Sequence, residues 1–168
     1  MKCKLEKMKR QHGEAVIDVF NYFVTNSYAA YTDEIVGYEF FDVFSRMAHG
    51  YPSVVVKDDG GEIVGFAFMS AFHFAQSFGK TAGISYFILP SHTRQGVGKA
   101  ILDRFEEQAK EMGVESLLAN ISSLNPDSLS FHEKNGFEEC GRFRDVGTKF
   151  GKNFDMIWMQ KRLTREDS

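Results

Sequence analysis

The sequence predicts an α/β chain, a mixed sheet with helices packed on it, and three observations carry that prediction. Apolar residues recur at helical spacing in some stretches and alternate in others, so both periods are present. The two kinds of stretch interleave in the order βααβββαβαββ, with no internal repeat and no low-complexity segment. Finally, Ile84 to Met112 (ISYFILPSHTRQGVGKAILDRFEEQAKEM) joins a strand to a long amphipathic helix through a short glycine-bearing turn.

Each element follows from its own pattern. Lys4 to Lys9 alternates and reads as a short strand. From Gln11 to about Asn26, Ala15, Val16, Val19, Phe20, Phe23 and Val24 fall on one helical face. Tyr28 to Val36 is a polar-aromatic connection, and a second helix covers Tyr38 to Ala48, ending near Gly50 and Pro52. Val54 to Val56 and Ile63 to about Phe72 are strands joined by a hairpin turn at Asp58-Asp59-Gly60-Gly61. Phe72 to Lys80 is an irregular aromatic link to a strand over Gly83 to Leu89.

The central helix turns Ile101, Leu102, Phe105, Ala109 and Met112 inward, and Ser116 to Ile121 is strand-like. Pro126 opens the next helix, where its missing N–H costs little, and Asn135-Gly136 stops it. Phe137 to Val146 and Phe154 to Gln160 are the last strands, separated by a glycine-bearing linker at residues 147–153.

A chain of 168 residues fits one domain spanning 1–168. With 43% hydrophobic and 14% aromatic residues it is not a disordered chain, and its 17 Phe point first to core packing. The formal charge of −3 argues against nucleic acid or an anionic membrane as the main partner. An anionic ligand is still allowed, because a local nest of N–H groups binds phosphate without a basic surface. Cys3 and Cys140 have no metal-binding spacing and read as free thiols. No metal site is expected. The N-terminal MKCKLEKMKR lacks the apolar core of a signal peptide, so a soluble, cytoplasmic protein is expected.

The turn before the central helix carries the chemistry. Gly96-Val97-Gly98 at a helix start offers free N–H groups to an anion, and no Cβ blocks close approach at either glycine. It is not a nucleotide P-loop, since Ala100 follows Lys99, and it lacks the third glycine of the dinucleotide fingerprint. Spacing alone fits an anion cradle or an ordinary turn equally. Arg94 and Lys99 flank it, either as phosphate partners or as solvated surface charges.

Three stretches taken together are more specific: SYFILPSHTRQGVGKAIL, NPDSLSFHEKNGF and VGTKFGKNFDMIWMQ, covering about residues 84–160. They resemble the GNAT superfamily of acetyl-CoA-dependent N-acetyltransferases, and more narrowly its phosphinothricin N-acetyltransferase branch. The signature Arg/Gln-x-x-Gly-x-Gly/Ala falls on Thr93, Arg94, Gln95, Gly96, Val97 and Gly98. The resemblance implies a GNAT fold, a mixed and mostly antiparallel sheet of six to seven strands flanked by about four helices. It also implies acetyl-CoA as acetyl donor. Tyr86, Phe87 and Ile88 would pair with the pantetheine arm through their backbone, residues 93–99 would hold the pyrophosphate, and Asn125 would contact the cofactor. Asn125 also suits a helix cap beside Pro126. The resemblance further implies a small-molecule amine acceptor, an amino acid or an analogue, and a homodimer.

Two positions depart from the branch. Thr93 stands where Arg or Gln is usual, and Gly83 stands where the branch carries the Glu proposed as general base. An amine at neutral pH is mostly ammonium and must lose a proton before it attacks a thioester. The oxyanion then needs N–H donors, and the departing thiolate benefits from an acid. His132 is the remaining titratable candidate, since an imidazole serves as acid or base near neutrality; a satisfied helix histidine is the alternative. Tyr31 matches the branch's pocket aromatic and His73 ends the third strand, so both are substrate-contact candidates. A non-catalytic acyl-CoA-binding module and a protein N-terminal acetyltransferase are the competing functions.

Overall fold

The computed structural model describes residues 3–163. The first two residues of the MKCKLEKMKR stretch and the last five of the 1–168 span lie outside it. In chain order the elements are β1 (Lys4–Lys7), α1 (Gly13–Asn26), α2 (Phe41–Met47), β2 (Ser53–Lys57), β3 (Ile63–Ala71), β4 (Thr81–Ile88), α3 (Val97–Glu111), β5 (Ser116–Ser122), α4 (Pro126–Lys134), β6 (Glu138–Lys149) and β7 (Lys152–Arg162). The strands form one sheet of seven in the order β1-β2-β3-β4-β5-β7-β6. Every neighbouring pair is antiparallel except β4 and β5. This is the predicted mixed, mostly antiparallel sheet.

Strand alternation divides the core in two. In β2, Val54 and Val56 face α3 and α4, while Val55 between them faces α1 and α2. Under α3 the layer is aliphatic, built on Ile101, Leu102, Phe105 and Ala109 at helical spacing. Under α1 and α2 it is aromatic: Phe20, Phe44, Phe66, Phe68 and Phe87 meet at centroid distances of 5.1–6.4 Å. Burying each such ring stabilises the fold by about 1.5–3 kcal/mol, and each edge or offset pair adds about 0.5–1.5 kcal/mol. This layer therefore takes the largest single share of the Phe residues, six buried with Phe40 and Phe87 packed against them.

The differences from the sequence reading have local causes. The helix expected over residues 38–48 is a 3-10 turn at Tyr38–Phe40 followed by α2. Met112 lies past the end of α3 and is 44% exposed rather than inward-facing. The expected linker at 147–153 belongs to the sheet: Gly147 pairs with Phe154 and Lys149 with Lys152 across a two-residue turn. Phe150 and Gly151 at that turn both have positive φ, 51° and 73°, the geometry that matches the twist of a hairpin.

Candidate active site

The parallel pairing of β4 with β5 is short. It runs from Thr81↔Ser116 to Gly83↔Leu118 and stops, although β4 continues beside β3 to Ile88 and β5 beside β7 to Ser122. The two strands therefore part in the middle of the sheet. Lys80 O accepts from Glu115 N at 2.8 Å, so the even-numbered residues of β4 turn their backbone toward β5. Leu89 N donates to Val64 O at 2.9 Å, so the odd-numbered ones face β3. Beyond the last pair, the backbone groups of Tyr86 and Ile88 point into the gap with no sheet partner. Phe87 is turned away: its carbonyl points at β3, and its ring lies 5.1 Å from Phe66 and 5.3 Å from Phe20.

The gap opens toward the N-terminus of α3. Pro90–His92 forms a 3-10 turn, and the chain then takes positive φ at Arg94 (58°) and at Gly96 (81°), the N-cap. Left-handed residues near a helix start turn successive N–H groups inward and make an anion nest. Gly96 is required by this conformation. Gly98 has another role: a Cβ there would come within 3.1 Å of the Phe131 ring, so it lets α4 pack onto the first turn of α3.

The side chains around the nest are mostly engaged. Thr93 Oγ1 donates to Pro90 O at 2.9 Å, and Gln95 Nε2 donates to Ser91 O at 3.1 Å. Lys99 pairs with Asp103, and Arg94 lies 3.6 Å from Asp127 at the surface. Val97 is buried in the core. What this turn leaves free for a ligand is thus its main-chain donors, which the identity of residue 93 does not affect. Asn125 is the N-cap of α4, its Oδ1 accepting from Ser128 N at 3.3 Å.

His132 and Tyr86 meet behind the gap, ring centroids 5.6 Å apart. His132 is 2% exposed, and its Nδ1 lies 2.7 Å from Ser128 O. A carbonyl only accepts, so Nδ1 carries the proton and Nε2 holds a lone pair. That Nε2 and the Tyr86 hydroxyl are both buried with no hydrogen-bond partner among the described residues. Burial pushes the His132 pKa below 6.5, against the bond to Ser128, which raises it. Burial also holds the Tyr86 phenol well above its ordinary value, with the nearby Glu106 carboxylate adding to this. Both groups are neutral at pH 7.

On the opposite face, Gly83 pairs with Ser70, and a Cβ at Gly83 would lie 3.2 Å from Ser70 Oγ. Ser70 also lines a cavity of about 500 Å³ with Arg46, Met47, Ala71, Phe72, His73 and Phe74. His73 is exposed, stacks on Phe74 at 4.3 Å and accepts from Ala75 N through Nδ1. Arg46 is the one permanently charged side chain among these lining residues and has no ion pair among the described residues. The sequence pattern gave no sign of it, because it is a single exposed cation at a helix end. Tyr31 lies outside that cavity, stacked on Phe154 at 5.7 Å and 9°, its phenol pushed up to about 12 by burial. A concavity of about 560 Å³ lined by Arg10, Tyr51, Arg104 and Gln108 borders the C-terminal half of α3, away from the nest, and belongs to no part of this arrangement.

A slot between diverging strands, an anion nest at its mouth and unpartnered polar atoms along its wall fit an extended phosphorylated thioester such as acetyl-CoA. No group of His, Cys, Asp and Glu able to hold a metal occurs among the described residues. No described helix is long and apolar enough to cross a membrane.

The chain is similar to known acetyltransferases. Residues 16–137 match the acetyltransferase (GNAT) family. The chain is 30% identical over 153 residues to the L-amino acid N-acyltransferase of Escherichia coli, covering 89% of this chain and 87% of that one. It is also 30% identical over 152 residues to an L-methionine sulfoximine/L-methionine sulfone acetyltransferase of Pseudomonas aeruginosa, covering 88% and 87%. A phosphinothricin acetyltransferase from Sinorhizobium meliloti in complex with acetyl-CoA superposes with a TM-score of 0.89 at 26% identity, over 96% of this chain and 89% of that chain. The split sheet and its nest are therefore those of an acetyl-CoA-dependent N-acetyltransferase, and the chain belongs to the GNAT family.

Proposed function

We propose that this enzyme, acting as a single domain over residues 1–168, acetylates the primary amine of a small amino acid or amino-acid analogue. The observation that carries the reading is the place where β4 and β5 part: the slot for the donor ends at Gly83, and Gly83 adjoins Ser70 of the cavity. Acetyl-CoA, when bound, supplies an activated thioester. The chain's own contributions are binding and proton handling. Tyr86 N–H and Ile88 N–H offer donors to carbonyl oxygens along the slot. The nest at residues 93–98 neutralises the pyrophosphate, and Asn125, beside it on the α4 loop, keeps its amide Nδ2 for the same ligand.

His132 handles a proton at Nε2. Its Nδ1 proton is held by Ser128, so at neutral pH the imidazole accepts rather than donates. On the acceptor side, Arg46, unpaired among the described residues, suits a carboxylate and His73 supplies an aromatic wall; Tyr31, outside that cavity, would join the acceptor site from the loop after α1. The relatives support the same class, since those named above act on L-amino acids and methionine sulfoximine.

A panel of L-amino acids, methionine sulfoximine, phosphinothricin and the matching amines without a carboxylate, each incubated with acetyl-CoA, tests this reading. Thiol release is expected with the carboxylate-bearing amines, with the acetyl group on nitrogen by mass spectrometry. Cofactor binding without thiol release above background would contradict it.

The same reading places the enzyme in the cytoplasm, where Cys3 and Cys140 remain thiols. It also makes the enzyme a homodimer. β6 is an edge strand of the sheet, and Phe143, Val146 and Phe150 expose 49–56% of their surface on it and at its turn. Sedimentation as a monomer at micromolar concentration would remove the dimer.

A further inference from the structure

Lys149 is the most unusual charge in the molecule outside the slot. Its side chain is 1% exposed and has no salt bridge among the described residues. The Asp33 carboxylate acts on it only from beyond salt-bridge distance. Burying an ammonium with no carboxylate in contact is costly unless its protons are bonded. Here Nζ donates to Ala30 O at 2.7 Å and to Phe23 O at 3.5 Å, and lies 4.8 Å from the Phe150 ring centre. Phe23 is in the last turn of α1, which has no basic residue of its own. Lys149 thus brings a positive charge to the negative end of α1 from 126 residues away in sequence.

Two more contacts join the same two regions: Tyr28 meets Phe150 at 5.5 Å, and Tyr31 stacks on Phe154 at 5.7 Å. Within the hairpin, Phe154 lies across Gly147, where a Cβ would approach the ring to 2.2 Å. Gly147 is needed because the Phe154 ring occupies the space of a side chain. The loop after α1 is pinned at its other end by Asn21, whose amide exchanges two hydrogen bonds of 2.9 Å with the backbone of Val36. Between these anchors only the stretch from Tyr31 to Ile35 projects outward.

We propose that Lys149 is a positioning residue that fixes the loop at residues 27–37 against the β6–β7 hairpin, and so sets the acceptor wall carrying Tyr31. The proposal rests on the reading of that loop as part of the acceptor site. It gives Gly147, Lys149, Phe150 and Phe154 one common task, a clamp from the last hairpin onto the end of α1. Lys149 touches no reacting atom. Its effect appears as acceptor affinity and loop order, with the donor site unaffected.

Lys149→Met keeps the unbranched chain to within one atom and removes the donors. Hydrogen exchange in residues 24–33 is expected to speed up by about tenfold or more while exchange in the sheet is unchanged. The acceptor KM should rise by about fivefold or more, with the acetyl-CoA Kd within about twofold of the parent. Lys149→Arg, which keeps a donating cation, should restore the protection. Unchanged exchange in residues 24–33, or a uniform increase over the whole chain, would overturn the clamp. If Lys149→Met does not fold, Phe154→Leu removes the ring that holds Tyr31 and is read in the same way. The exchange measurement needs no acceptor: loop loosening in an enzyme with no turnover would contradict acetyl transfer, and turnover with an unaltered loop would contradict the clamp.

Discussion

Position 83 and His132 together decide how the proton leaves. Gly83 has no group to take it, and its nearest neighbour on the acceptor side is the Ser70 hydroxyl. His132 presents an unprotonated Nε2, but behind the slot and out of solvent. If His132 relays the proton, His132→Ala lowers kcat by about 10²-fold or more and leaves acetyl-CoA affinity intact; an unchanged kcat removes it from the mechanism. Gly83→Glu places a carboxylate beside Ser70 and should raise turnover by about tenfold or more, at the cost of a small shift of the Ser70 hydroxyl. No gain would mean that the existing relay is not limited by the missing base. At this scale the sequence was informative about type and silent about state. It singled out His132 and the absence of Glu at 83, yet only the fold shows which imidazole nitrogen is free. Lys149 was invisible as anything but a linker residue, because its partners are 119 and 126 residues away.

Element boundaries were legible wherever a periodic pattern met a strong stop. Pro126 with Asn125 starts α4, and Gly96 starts α3, as the turn chemistry requires. The hairpin at 147–153 was misread because three glycine-flanked residues look like a linker, whereas Phe150 in a left-handed conformation next to Gly151 closes a two-residue turn and lets both strands run on. The nest was half legible. Gly96 announced it, but the positive φ of Arg94 belongs to a residue type that gives no such signal. Gly98 looked like a second place for an anion to approach closely, and its missing Cβ also leaves the space Phe131 needs. The parting of β4 and β5 could not be read from either strand, since both are regular; it arises from their different partners on the far sides.

At the scale of the molecule, two buried histidines tie stability to pH. His12 and His132 both have pKa values lowered mainly by burial, from an ordinary value of 6.5. The unfolded chain therefore binds more protons than the folded one below that value. The stability these neutral rings contribute is fully present above about pH 6.5 and is lost as pH falls through the folded pKa values. The urea midpoint should fall between pH 7 and pH 5, before the carboxylates Glu6, Glu139 and Asp155, whose pKa values are lowered by hydrogen bonds to Lys57, Arg142 and the Asp145 N–H, begin to titrate. His132→Gln should flatten that slope, and a midpoint independent of pH over this range would show that neither ring resists protonation. The inward faces of α1 and α3 were legible from their helical spacing, but the sequence could not divide the core into an aromatic and an aliphatic layer or assign Val55 and its neighbours to opposite ones.

On the proposed reading, acetyl-CoA lies in the opening between β4 and β5 and pairs with one side of β4. Residue-resolved amide exchange, with and without acetyl-CoA, tests it most directly, because the strand alternates. The amides of Tyr86 and Ile88, which face the opening, should slow by about tenfold or more on binding. Those of Ser85 and Phe87, already directed at β3, should not change. Equal protection along the strand, or no change at Tyr86 and Ile88 under saturating acetyl-CoA, would contradict the account.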